Sequence, residues 1–228
     1  MGNARLALAE YPKDGKMQPP NCFAFDVSRS LDAKPLPLTP GLGGYCSATT
    51  VSPNGQYAAY ALNSVYVWNL ESSSLVGDQF TPNNLDTLEK WKSIGAHGGY
   101  RPLSCAFSLD SRFLVVAAGA NAFAVFEVAT GKTLRFVQRN SSGHKISGIR
   151  HASFSITSDL VLVREGATFS IYHVPTGKWI FDSWKVSKLN DRMTHDSVAP
   201  QVEVLSSRVF VLSQEGEISC FELFIDSE

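Results

Sequence analysis

Polar and apolar positions alternate in short bursts along this chain, and the bursts return in one order. The clearest copy covers residues 101–138. Residues 103–107 read as a short apolar strand, followed by the turn Ser108-Leu109-Asp110-Ser111. Residues 113–118 form a continuous apolar run, as expected of a strand covered on both faces. Gly119-Ala120-Asn121 is a second turn, residues 122–128 a third strand, Ala129-Thr130-Gly131-Lys132 a third turn, and residues 133–137 a fourth strand. Short strands punctuated by Gly, Asn, Asp and Ser predict an antiparallel all-β fold.

The same order recurs at residues 46–77, 149–183 and 200–226, with a partial copy at 3–38. A unit of about 45 residues repeated in this way marks a repeat architecture. The aromatic residue closing each third strand sets the period: Trp68, Phe126, Tyr172 and Phe221, at spacings of 58, 46 and 49. The long first spacing comes from an insert at 81–100. Leu85, Leu88 and Trp91 within it recur every three residues, which predicts a short helix or ordered excursion over 81–94. A second polar insert lies at 185–199. The whole chain is expected to be one domain.

Several dipeptides and turns together resemble the WD-repeat β-propeller. They are Ser52-Pro53-Asn54-Gly55 after a first strand, and Trp68-Asn69, Phe126-Glu127, Phe221-Glu222 and Phe25-Asp26 at the ends of third strands. The turns Ala129-Thr130-Gly131-Lys132 and Pro175-Thr176-Gly177-Lys178 precede fourth strands, and Gly143-His144 and Ala96-His97 look like repeat openings. The resemblance implies an all-β propeller of four-stranded antiparallel blades, about four to five in number, complete or incomplete. It also implies a His–Ser/Thr–Asp–Trp hydrogen-bonded set, with Asp in the turn between strands two and three. Those turns here read Asn63-Ser64, Gly119-Ala120-Asn121, Glu165-Gly166 and Glu215-Gly216, without an Asp. The repeats are degenerate. At the ends, residues 5–9, 22–27 and 34–38 read as strands two to four of a blade lacking its first, and the last unit stops after strand three. A fragment of a larger propeller, a terminal strand completing the last blade, and a partner supplying a strand are three readings of those ends.

Composition narrows the function classes. The 228 residues carry a net charge of −1 at pI about 6.5, so no global field draws the chain to nucleic acid or to an anionic membrane. No apolar run approaches membrane-spanning length. Cysteines at 22, 46, 105 and 220 form no Cys-x-x-Cys pair, and most sit in strand-like runs. They read as reduced, semi-buried thiols of an intracellular protein, cytoplasmic or nuclear.

No motif in the chain assembles a catalytic or ligand-binding set. Thr130-Gly131-Lys132-Thr133 ends like a phosphate-binding loop, but Phe126 stands where that motif needs glycine. The five histidines show no zinc-like spacing with cysteine. Asp110, Asp159 and Glu165 fall in inter-strand turns as solvated acids. No cofactor, metal or catalytic group is expected.

The expected function is a non-catalytic scaffold for proteins or peptides. A propeller-fold hydrolase, glycosidase or lactonase-like, is the rival, and a truncated propeller without independent function is a third reading. Contacts are expected on the two inserts and their flanks, at Trp91, Tyr100, Arg101, Trp184 and Arg192, because Trp, Tyr and Arg anchor interfaces most often.

Overall fold

The computed structural model describes residues 5–10, 21–26, 36–37, 47–61, 64–76, 80, 102–118, 122–139, 149–154, 158–165, 168–185, 201–205, 208–212 and 218–222. Every regular element among them is a strand. The first sheet comprises β1 (Arg5–Glu10), β2 (Asn21–Asp26) and β3 (Leu36–Pro37). The second comprises β4 (Ala48–Val51), β5 (Tyr57–Ala61), β6 (Val65–Asn69) and β7 (Ser74–Leu75). The third runs β8 (Ser104–Phe107), β9 (Phe113–Ala117), β10 (Ala122–Glu127), β11 (Thr133–Gln138). The fourth runs β12 (Ile149–Phe154), β13 (Leu160–Glu165), β14 (Thr168–His173), β15 (Lys178–Lys185). The fifth is β16 (Gln201–Leu205), β17 (Arg208–Leu212) and β18 (Ile218–Glu222). Every sheet is an antiparallel meander in chain order, and three have four strands, as the repeat pattern predicts. The expected helix at 81–94 lies outside the described residues.

Sheets pack face to face with their first strands side by side: β1 beside β4, β4 beside β8, β8 beside β12. The apolar run of β9 shows why. Leu114 and Val116 point into a seam with the second sheet, among Ala59, Val67, Phe80 and Phe126. Val115 and Ala117 point the other way, into a seam with the fourth sheet, among Phe123, Ile149, Val163 and Tyr172. All four are 0 % exposed. A strand buried on both faces has no place for a polar residue, so its period-two alternation vanishes from the sequence.

Of the aromatics that set the period, Phe126 and Tyr172 fill the seams toward their preceding sheets. Phe126 meets Phe80 edge-on at 5.7 Å, and Tyr172 meets Phe123 edge-on at 5.3 Å. Trp68 holds the equivalent place in the second sheet, edge-on to Tyr60 at 5.5 Å. Large rings at one repeated position fill the wedge between sheets, and edge-to-face geometry suits their quadrupoles.

The polar residues after Trp68, Phe126 and Tyr172 bond within the next turn. Asn69 Oδ1 accepts the Glu71 and Ser72 N–H groups at 2.9 and 3.2 Å. Glu127 Oε2 accepts the Thr130 hydroxyl at 2.6 Å, and His173 Nδ1 stands 2.8 Å from the Thr176 hydroxyl. Gly131 and Gly177, at φ 67° and 71°, supply the left-handed residue that closes these turns.

Candidate functional site

Antiparallel order sends alternate connections to opposite rims of the stack. The turns 52–56, 108–112, 128–132 and 174–177 lie on one rim. The other rim holds the ends of the outer strands and the starts of the next inner ones. On it the register brings Glu165 opposite both Ile149 and Thr168, and Thr168 opposite Lys185. Phe80, paired with Val65, and Lys185, paired with Thr168, stand at this rim and are the last described residues before the inserts at 81–100 and 185–199.

Of the five residues expected to touch a partner, Trp184 is placed. It sits in β15 opposite Phe169, one step from Lys185 at the rim. Trp91, Tyr100, Arg101 and Arg192 lie outside the described residues.

Beside Trp184's sheet, the structure assembles a set that sequence reasoning did not. Arg139, the residue after β11, reaches across the seam to the fourth sheet. Its guanidinium pairs with Glu165 Oε2 at 3.2 Å and donates to the Ser170 hydroxyl at 2.9 Å. The same group lies 4.1 Å from the Trp179 ring centroid. Two arginines, one in β11 and one just after it, therefore grip the next sheet, because Arg135, four positions earlier, donates to the Val174 and Pro175 carbonyls at 2.9 and 2.7 Å.

The reading of Glu165 as a solvated turn acid is corrected. It is the last residue of β13, its side chain is 7 % exposed, and Oε1 is buried without a hydrogen-bond partner. A carboxylate is buried at this cost only when a cation compensates it. Asp110 and Asp159 are exposed in turns of the opposite rim, as expected. The three acids do not converge. The sequence carries no local cue, since Arg139 lies 26 residues from Glu165 and 31 from Ser170.

Two further polar ties cross the seams near this rim. The Ala152 N–H donates to Ser104 Oγ at 3.0 Å, and the Ser47 hydroxyl contacts the Pro102 carbonyl. His151 on β12 stands opposite Arg164. It keeps solvent contact, yet desolvation of the ring, aided by the Arg164 charge, holds it below the usual histidine range. Among the described residues, no three His, Cys, Asp or Glu side chains gather as a metal site, and no helix is long and apolar enough to cross a membrane.

No protein-family model matches the chain, and no curated protein matches it in sequence. Solved structures do match in fold. The chain is similar to the structure of U3-55K, with TM-score 0.54 and 14% identity over 80% of this chain and 53% of that one. It is similar to the WD40 repeats of RRP9, with TM-score 0.53 and 14% identity over 80% and 52%. It is also similar to the computationally designed Ika4 protein, with TM-score 0.51 and 16% identity over 81% and 94%. The chain thus spans about half the length of the two WD40 structures. At such identities the likeness speaks for the fold alone: over four-fifths of its length, this chain shares the all-β fold of four-stranded antiparallel blades seen in WD40 propellers.

Proposed function

We propose that the chain is a non-catalytic scaffold inside the cell, and that protein or peptide partners dock on the rim from which the two inserts depart. The observation that carries this reading is topological. Phe80 and Lys185, the last described residues before the two inserts, lie on one rim, and Trp184 is one residue from Lys185. A rigid stack presenting loops on one side is suited to recognition, and Trp, Tyr and Arg on those loops are the side chains that most often anchor an interface. The buried acid nearest this rim, Glu165, is already engaged by Arg139, which argues for a structural role over catalysis. The fold by itself does not choose a partner.

The test is quantitative affinity purification of the full chain beside the double variant Trp91→Ala, Trp184→Ala and an opposite-rim control, Leu109→Ser. Leu109 is 56 % exposed, so its replacement leaves the core intact. The reading expects a reproducible set of partners that the tryptophan variant loses, by fivefold or more at about 1 kcal/mol per anchor, and the control keeps. Retention of every partner by the tryptophan variant would remove the rim from consideration. Turnover in a hydrolase panel that disappears in Glu165→Gln would replace the scaffold by the enzyme.

A further inference from the structure

The first turn of the second sheet and that of the third are built alike, atom for atom. In one, Ser52 and Tyr57 exchange bonds, with Ser52 N to Tyr57 O and Tyr57 N to Ser52 Oγ, both 2.9 Å. In the other, Ser108 and Phe113 do the same at 2.9 Å. The third turn residue, Asn54 or Asp110, accepts the serine hydroxyl at 2.7 or 2.6 Å and the N–H two positions on at 2.9 or 3.1 Å.

The fourth turn residue has left-handed backbone in all three central sheets: Gly55 at φ 71°, Ser111 at 63° and Ser158 at 58°. Glycine adopts that conformation freely and serine does not. Serine at this place, twice, needs a compensating gain. The gain is visible in the bonds. Ser111 Oγ accepts the Asn54 N–H at 3.0 Å, and Ser158 Oγ accepts the Asp110 N–H at 3.3 Å. Each donor is the third turn residue of the preceding sheet. Ser111 and Ser158 are 3 % and 7 % exposed, so water competes poorly for these bonds.

We propose that Ser111 and Ser158 are registering residues, which hydrogen-bond each sheet's first turn to the turn of the sheet before it and so set the rotation between sheets on this rim. The relay runs one way, from the second sheet to the third and from the third to the fourth. It starts at the second sheet, because Gly55 has no hydroxyl with which to accept a bond from an earlier turn. The three sheets it links are the ones that also share the two apolar seams. They form one cooperative unit, to which the first sheet docks without this bond.

The test combines urea unfolding with amide hydrogen exchange on the full chain, for Ser111→Gly, Ser158→Gly and Gly55→Ser. Relief of left-handed strain alone would make both serine-to-glycine variants more stable. The relay expects the opposite, a lower urea midpoint. It further expects exchange at the Asn54 amide to rise about tenfold in Ser111→Gly, and at Asp110 in Ser158→Gly. The Gly55 amide, bonded within its own turn to Ser52 O at 2.8 Å, is the internal reference and keeps its protection. Gly55→Ser gains no stability. Unchanged exchange at Asn54 and Asp110, or a raised midpoint in either glycine variant, would overturn the proposal.

Discussion

Replacing Arg139 by leucine removes one cation that three groups contact. Glu165 keeps its burial, at 7 % side-chain exposure, but loses the ion pair at Oε2 while Oε1 already stands unpaired. Ser170 loses a donor at 2.9 Å, and Trp179 loses the guanidinium 4.1 Å from its ring centroid. Removing one member of a buried pair costs about 3–5 kcal/mol. Arg139 is 15 % exposed, so solvent softens the term, and leucine restores part of the buried area. An overall loss of about 3 kcal/mol follows, a large share of a domain's net stability. Urea unfolding followed by tryptophan fluorescence measures it as a drop in midpoint at constant slope. The companion double variant Arg139→Leu, Glu165→Leu tests the cause. If the uncompensated carboxylate dominates, the double variant recovers more than half of the loss, because an apolar pair of similar size can replace a buried ion pair. A single-variant loss under about 1 kcal/mol, or no recovery in the double, would refute the claim that this pair locks the seam.

Three other outcomes follow from the same geometry. Phe126→Ala empties a 0 % exposed position at the first seam and should cost about 3–5 kcal/mol in urea unfolding, against under about 0.5 kcal/mol for Leu109→Ser on the surface. His151 is held below its usual range by desolvation and by Arg164, so the unfolded chain takes up its proton first as pH falls. Stability should therefore decline on acidification through about pH 6.5, and His151→Gln should flatten that limb of the urea-midpoint profile. At Asp110, slight burial pushes the carboxyl up, but bonds from Ser108, the Arg112 N–H and Ser158, with the Arg112 charge, outweigh it and hold the group below its ordinary value. Its contribution is present above about pH 4 and is lost as pH falls through the lowered value; Asp110→Asn should remove that acid-limb dependence in thermal melts.

The repeat was legible because its causes are local. Ser52-Pro53-Asn54-Gly55 and Ser108-Leu109-Asp110-Ser111 close turns through their own side chains, Asn69 and Glu127 cap the turns beside them, and Gly131 and Gly177 take backbone that other residues resist. The two-faced burial of β9 was equally plain, since five consecutive apolar residues fit no half-solvated strand. These features specify strand order, sheet by sheet, without reference to anything distant. Of the expected contact residues, only Trp184 could be placed, in a strand at the rim.

What the chain could not announce is which side chains meet across a seam. Glu165 beside a glycine looks like a surface acid until Arg139, from the preceding sheet, covers it. Ser111 looks like an ordinary turn serine until the Asn54 N–H of another sheet is found against its hydroxyl. The sequence alone determined the repeat and its turns, because those follow from torsion preferences and nearest neighbours. Only the tertiary structure decided the partners of Arg139, Glu165, Ser111 and Ser158. Each of these pairs joins groups from two different sheets, and only the packing of whole faces brings those sheets together.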